Sequence, residues 1–401
     1  MTLVEKHVIR KGHKFFVEAD RLCFLSKNLY NYANYLIRQD FIAGRGYISY
    51  PALQKLLQDS RQADYVALPA KVSQQTLKLL DKSWKSFFRA IASYANNPSL
   101  FSGRPRLPGY KDKISGRFPV IYTIQAVSKV ALKDHAIALS KTGIRFFTKA
   151  ENIQQVRIIP RQSHCVIEVV YEKDIIPTET KRDSFMSIDM GVDNLASCFL
   201  NLSGENFIVN GKPVKSINQF FNKRKAALQG GLNNPKQVTR RMQRLSLKRQ
   251  NKIDDYFHKA SALIVEKAKE AEVCEIIIGN NKGWKQSVNI GKVNNQKFVS
   301  IPYVKLIDKI TYKAELNGIR VRIVEESYTS KIDHIVGEAL EKQENYSGKR
   351  IERGLFLSAS GHVLNSDING AIGIMRKVVP APVVFRKGIE GVVVHPIRLT
   401  L

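Results

Sequence analysis

Hydrophobic positions in the first hundred residues recur at helical spacing. In RLCFLSKNLYNYANYLIRQ, Leu22, Leu25, Leu29, Tyr32 and Leu36 share one face. KVSQQTLKLLDKSWKSFFRAI does the same with Val72, Thr76, Leu80 and Phe87, widened by Leu77, Trp84 and Phe88. Two long amphipathic helices are therefore predicted behind a short opening strand, LVEKHVIRKG. From Phe101 to about Asp174 the period shortens. GRFPVIYTI, KVALKDHAIALS, IRFFT, QVRIIP and CVIEVVYEKD read as short strands separated by turns, so a helical insert sits in or beside a β-rich module, which a barrel would satisfy.

After IPTETKRD the texture changes to strand and helix in alternation, which predicts a new α/β domain near Ser184. FMSIDMGVDNLASCFL reads as a strand carrying Asp189, a tight turn at Gly191 and a second strand. EVCEIIIG is a buried strand, YVKLIDKITYKAELNG a helix ended by Gly318, and IRVRIVEES another buried strand. LNSDINGAIGIMRKVV leads into a helix with Asp367 near its start. No internal repeat or low-complexity tract interrupts the 401 residues, a length that suits two or three domains.

Charge narrows the partner. With 64 Lys and Arg against 35 Asp and Glu, the formal net charge is +29, which opposes compaction unless a polyanion offsets it; nucleic acid is the leading candidate. An anionic membrane is the rival, but no run of about 18 apolar residues, signal peptide or lipidation motif supports it. Cys23, Cys165, Cys198 and Cys274 are scattered without a CxxC pair, which excludes a disulfide framework and points to a reducing cytoplasm. Between Asn222 and Lys252 stand ten Lys or Arg and no acid. In its second half Arg240, Arg244 and Lys248 form an i, i+4, i+8 ladder suited to a phosphate backbone, with Arg241 and Arg249 beside it. Val238, Met242, Leu245 and Arg249 share a second stripe.

The carboxylates carry the chemistry. A strand-borne Asp189, acids after a later strand and Asp367 at a helix start form the skeleton of an RNase H-like nuclease. Phosphodiester hydrolysis with two Mg²⁺ ions roughly 4 Å apart needs hard oxygen ligands converging from separate elements.

SIDMGVDNLASCF, IIIGNNKGWKQ, VEESYTSK and SGKRIERGLF followed by NSDINGAIGI together resemble the RuvC blocks of TnpB proteins, transposon-encoded RNA-guided DNA endonucleases related to type V CRISPR effectors and Fanzor proteins. LPAKVSQQTLKLLDKSWKSFFRA and GRPRLPGYK resemble that family's recognition and wedge segments. The resemblance implies a multidomain α+β fold. Residues 1–15 and 98–181 would form a β-rich wedge domain, 16–97 a helical recognition domain, and 182–401 a RuvC-like RNase H fold with a basic helical segment over 222–270. It also implies cleavage of double-stranded DNA by one site with two Mg²⁺ ions, for which Mn²⁺ would substitute. The partners would be a guide RNA, omega-RNA-like or CRISPR-derived, and a target duplex, with one protein monomer per RNA. Location would be cytoplasmic, on the nucleoid when DNA is bound. The basic helix would brace the guide–target heteroduplex. Lys71, Gln75 and Thr123 would read a short motif beside the target. Trp284 and Lys285 are further candidates for single-stranded DNA, an interface or core tryptophan being an equal reading.

Two departures from the family stand out. Lys331–Leu364 holds no cysteine where most members carry a zinc ribbon, so no structural zinc is expected. The usual second-motif glutamate is missing from IIIGNN. Glu326 lies 47 positions after Gly279 on the next predicted strand, and spacing to TSK favours it over Glu325 as the replacement, since alternation turns only one of the two toward a metal. A displaced glutamate of this kind occurs in a subset of the family. The expected catalytic and metal-binding set is Asp189, Glu326 and Asp367. Alternatives are a nuclease-inactive RNA-guided repressor and a protein-only nuclease or transposase without a guide.

Overall fold

The structure, a computed structural model, describes residues 1–175, 180–202, 205–234, 237–280, 300–352, 354–380, 384 and 396–401. The chain is mixed α and β and divides into two units, Met1–Lys173 and Asp174–Leu401.

In the first unit, β1 (Thr2–Arg10) leads into α1 (Phe16–Ile42), followed by α2 (Tyr50–Asp59), α3 (Ala63–Ala67) and α4 (Ala70–Asn96). Then come β2 (Val120–Thr123), α5 (Lys129–Lys133), β3 (Ala136–Ala138), β4 (Arg145–Phe147), β5 (Ile153–Pro160) and β6 (His164–Glu172). The main sheet runs β1-β6-β5-β2, antiparallel throughout, and β3 pairs with β4. KVALK, expected as strand, is the short helix α5, whose first turn is capped by the Ser128 hydroxyl accepting from the Ala131 N–H.

The buried stripe of α1 also differs from expectation. Tyr32 is exposed, and Leu22, Ser26, Lys27, Leu29, Tyr30, Ala33, Asn34 and Ile37 face inward. The polar members are buried because they hold the irregular segment after α4. Lys27 Nζ donates to the Lys113 carbonyl at 2.7 Å, Asn34 Nδ2 to Pro108 at 2.9 Å, and Asn31 both donates to Lys111 and accepts from its N–H. Asn34 Oδ1 in turn accepts from the indole of Trp84, which is fully buried on α4. Every buried donor in this set of hydrogen bonds has a partner, so the polarity costs little.

The second unit is built on β7 (Phe185–Asp189), β8 (Asn194–Leu200) and β9 (Asn206–Asn210), then α6 (Lys212–Gly230), α7 (Arg240–Glu270) and β10 (Glu275–Gly279). There follow α8 (Tyr303–Leu316), β11 (Arg320–Val324), β12 (Lys349–Glu352), β13 (Leu355–Leu357), β14 (Val363–Asn365), α9 (Ser366–Arg376) and β15 (Ile397–Leu399). Its central sheet has the order β11-β10-β7-β8-β9-β15, with β7 parallel to β10 and antiparallel to β8. Strand alternation divides the core. Ile188, Ile276 and Ile278 pack with Phe257 and Ile264 of α7 and Leu306 and Ile310 of α8, whereas Ile277 and Phe199 pack with Ile368 and Ile372 of α9. Cover on both faces explains the uninterrupted apolar run EIIIG. β11, expected to be buried, is the last strand of that order and is largely exposed, Ile323 included.

Candidate functional site

β7 delivers Asp189 to the end of the sheet, where β10 also stops at Gly279, one position past the Ile278–Ile188 pair. β11 runs parallel to β10, and Glu326 follows two residues after its last strand position rather than on the strand itself. There the chain turns, with the Thr329 N–H and hydroxyl both donating to the Glu326 carbonyl. The turn sends Glu326 inward across Gly279: a Cβ built on that glycine would lie 2.6 Å from Glu326 Cγ and Oε1. Glu325 is exposed instead and accepts from the Ser327 hydroxyl.

α9 brings the third carboxylate. Asn365 caps it, accepting from the Asp367 and Ile368 N–H groups, and Asp367 sits in the first turn, where the helix dipole favours an anion. Asn194 Nδ2 donates to Asp367 Oδ2 at 2.5 Å. Three residues on, Gly370 lies flat against Asp189: a Cβ there would be 2.7 Å from Asp189 Oδ2. Ser187 on β7 donates to the Ala371 carbonyl at 2.6 Å and fixes helix against strand. Two glycines thus clear the space into which the carboxylates point.

The electrostatics follow from this crowding. Burial, then the charges of Glu326 and Asp367, hold the Asp189 carboxyl well above the usual range, with Arg350 and the Met190 N–H opposing. Burial pushes Glu326 up to about 7, against the pull of Lys377. Tyr303, whose hydroxyl donates to the Gly191 carbonyl at 2.9 Å, is raised by burial and then by Asp189 and Glu326. Among the described residues, no three His, Cys, Asp or Glu side chains already close on one point as a finished ligand cage. Even so, two acids made hard to ionise by burial, Asp189 further by the charges of Glu326 and Asp367, are oxygen donors that a divalent cation would relieve. The residues fit such an ion. Asn194, Arg350, Lys377 and Tyr303 were not singled out in the sequence. For Asn194 the signal was its place five positions after Asp189 at the start of the partner strand, whereas nothing local marks the other three.

The segment from Lys331 to Asn365 contains β12, β13 and β14, pinned by polar groups. Asp333 accepts from the Ser358 hydroxyl, the Ala359 N–H and the Ile335 N–H, and Glu338 accepts from the N–H groups of Asp333 and Ser347. His334, buried beside them, contacts the Thr329 carbonyl through Nε2 at 2.7 Å and Arg376 through Nδ1 at 2.9 Å.

The basic residues divide into two kinds. Arg240, Arg241, Arg244 and Lys248 are exposed on the first half of α7, above Met242 and Leu245. Arg249, grouped with them from sequence, is engaged internally: Nε donates to Asn218 Oδ1 at 2.6 Å, a second nitrogen to the Ser300 carbonyl at 2.7 Å, and the guanidinium lies over Phe221. In the first unit, Lys71 and Gln75 are half-buried in the opening turns of α4, and Thr123 is half-buried at the end of β2. Trp284 and Lys285 fall outside the described residues.

Comparisons with known proteins agree with this architecture. Residues 168–285 match the family model OrfB_IS605, described as a probable transposase, and residues 303–374 match the Cas12f1-like TNB domain. The TnpB-like protein ORF457 of Acidianus two-tailed virus is 25% identical over 399 residues, covering 90% of this chain and 83% of its own. InsQ of Escherichia coli (strain K12) is 22% identical over 396 residues, covering 92% and 90%. Among solved structures, the Cas12f1 chain of a complex with sgRNA and target DNA superposes with a TM-score of 0.54 at 16% identity, over 89% of this chain and 82% of that one. The chain is thus similar to TnpB-like proteins along nearly its whole length, with two family matches in chain order and a fold shared with Cas12f1.

Proposed function

We propose that the chain is an RNA-guided, Mg²⁺-dependent endonuclease of double-stranded DNA, encoded with an insertion-sequence-type transposon. Asp189, Glu326 and Asp367 are its catalytic carboxylates. The observation that carries this reading is the meeting of Glu326 with Gly279: an acid from a later loop occupies the place that IIIGNN leaves empty, and Asp189 is electrostatically coupled to it. Names of relatives support the activity. InsQ is called a proposed RNA-guided DNA endonuclease, and the relative from Syntrophomonas palmitatica, 24% identical over 366 residues, a CRISPR-associated endodeoxyribonuclease, Cas12f1.

In this reading Asp189, Glu326 and Asp367 hold the cations through carboxylate oxygens. When bound, the ions activate water and stabilise the leaving oxygen of the phosphodiester. The protein's own part is placement. Gly279 and Gly370 let the acids approach, Asn194 fixes the Asp367 carboxylate, and Ser187 keeps α9 at its height on β7. Arg240, Arg241, Arg244 and Lys248 bind the nucleic-acid backbone, and Lys71, Gln75 and Thr123 in the first unit read the target-adjacent motif.

The competing reading, a repressor that binds without cutting, rests on the missing second-motif glutamate. Glu326 beside Gly279 supports the cutting reading instead. Alanine at Asp189 or Asp367 tests it: cleavage is lost while RNA and target binding remain, and loss of binding as well would contradict the roles assigned. Sequencing the RNA that co-purifies tests the guide, one abundant structured species being the expected result and random fragments the contrary one.

A further inference from the structure

Beside α7, outside the carboxylate site, lies a groove of about 290 Å³ between α6 and α7. Ile217, Phe221 and Leu245 form its apolar walls, Lys248 and Lys252 its rim, and no acid lines it. Phe220 borders the same groove and is 58% exposed, a large aromatic left in water on a face rich in lysine. Its neighbour Phe221 is already covered by Arg249, which Asn218 and Ser300 hold in place, so the groove floor is fixed.

We infer that this groove is a stacking site for an unpaired nucleotide of the DNA strand being cut, with the base on Phe220 and the flanking phosphates on Lys248 and Lys252. The inference rests on the cutting reading given above. Two further observations argue for that occupant. A ring face bordered by two ammonium groups and no carboxylate is the combination that binds single-stranded nucleic acid without sequence preference, while an apolar protein segment would leave both lysines unpaired. The groove is also tied to the catalytic loop. α6 begins where the Gly211 N–H donates to the Asp193 carbonyl and Lys215 pairs with the Asp193 carboxylate at 2.6 Å, four residues after Asp189. Phe220 follows Lys215 by five residues, about 7.5 Å of helix axis. The strand presented to the carboxylates is therefore the nearest source of an unpaired base. A cavity at the lower end of small-molecule pockets, roughly 300 Å³, takes one planar base with its sugar.

The test uses the full chain with its co-purified RNA, in EDTA so that no cutting occurs. Single-stranded oligonucleotides carrying one 5-iodouracil, as DNA and as RNA, are photocrosslinked and titrated. The expected result is a DNA adduct on Phe220 and a loss of affinity of about tenfold in Phe220→Ala. Phe220→Trp keeps both adduct and affinity, and Phe220→Leu, which preserves apolar bulk without a ring, loses the adduct. Lys252→Ala weakens binding and flattens its salt dependence. An unchanged affinity in Phe220→Ala, or an adduct elsewhere, overturns the site and leaves the groove to a protein segment. An RNA adduct as strong as the DNA one overturns the occupant. None of these readouts depends on catalysis, so they stand whether or not Asp189→Ala abolishes cutting.

Discussion

Gly279 and Glu326 share one space. The strand end at Gly279 carries no side chain, and the Glu326 carboxylate passes within 2.6 Å of where a Cβ would stand. Each residue is the condition for the other. A methyl at 279 would also meet Cδ1 of Ile374.

Gly279→Ala should therefore displace Glu326 and lower cleavage about a hundredfold, as misplacement by about 1 Å does, with target binding preserved. Gly279→Glu alone should be as poor, since two acids cannot fill the place of one. Combining it with Glu326→Gly should recover part of the activity. Single-turnover cleavage of the three variants decides the matter, and a fully active Gly279→Ala would show that Glu326 has room to spare.

Asn194 acts through Asp367, which it holds by a 2.5 Å hydrogen bond. Asn194→Ala should cost about 10- to 100-fold in cleavage, in the range typical of groups that orient a ligand. Asn194→Asp should cost more by setting a like charge against Asp367. Metal titrations of cleavage should show the requirement for Mg²⁺ rising in both.

His334 makes stability fall in mild acid. Burial, with Arg376 adding to it, lowers its pKa from 6.5 to about 4, against the Thr329 carbonyl and the charges of Asp333 and Glu338. The unfolded chain takes up a proton near pH 6.5 and the folded chain does not, so stability drops as pH falls from about 6.5 and levels below about 4. From pH 6.5 to 5 the loss amounts to at most about 2 kcal/mol. Melting curves of wild type and His334→Gln at the two pH values measure it: the variant should start lower and show a smaller difference between them.

The two kinds of arginine on α7 should separate in salt titrations. Neutralising Arg240, Arg241, Arg244 and Lys248 should flatten the salt dependence of nucleic-acid binding by about 0.9 in log–log slope for each duplex phosphate left without its cation. Arg249→Ala should leave that slope alone and lower stability by about 2 kcal/mol, because it removes charged hydrogen bonds to Asn218 and Ser300.

These contrasts also mark how far the sequence is legible. Asp189 and Asp367 are readable because their settings are local: a strand end before a turn, and the first turn of a capped helix. Glu326 needs the family's spacing, since its inward direction is set by a turn beyond β11 and by the gap at Gly279. The internal partners of Arg249 are not readable from the helix pattern, because they lie 31 positions before it and 51 after it, beyond any periodic signal. On α1, the stripe shifts because Lys27 and Asn34 are buried to satisfy carbonyls some 70 to 90 positions away, which hydrophobic patterning scores as exposed. β11 looks like a core strand by composition, yet burial depends on what lies on its outer side, and it ends the sheet.

The most direct measurement is cutting of a supercoiled target by Glu326→Gln, with co-purified RNA and Mg²⁺, beside target affinity in the same preparation. Glutamine keeps the size of the side chain and removes its charge. Loss of cutting with affinity retained is the expected result. Cutting at the wild-type rate would contradict the role of Glu326 and with it the assembly of three carboxylates.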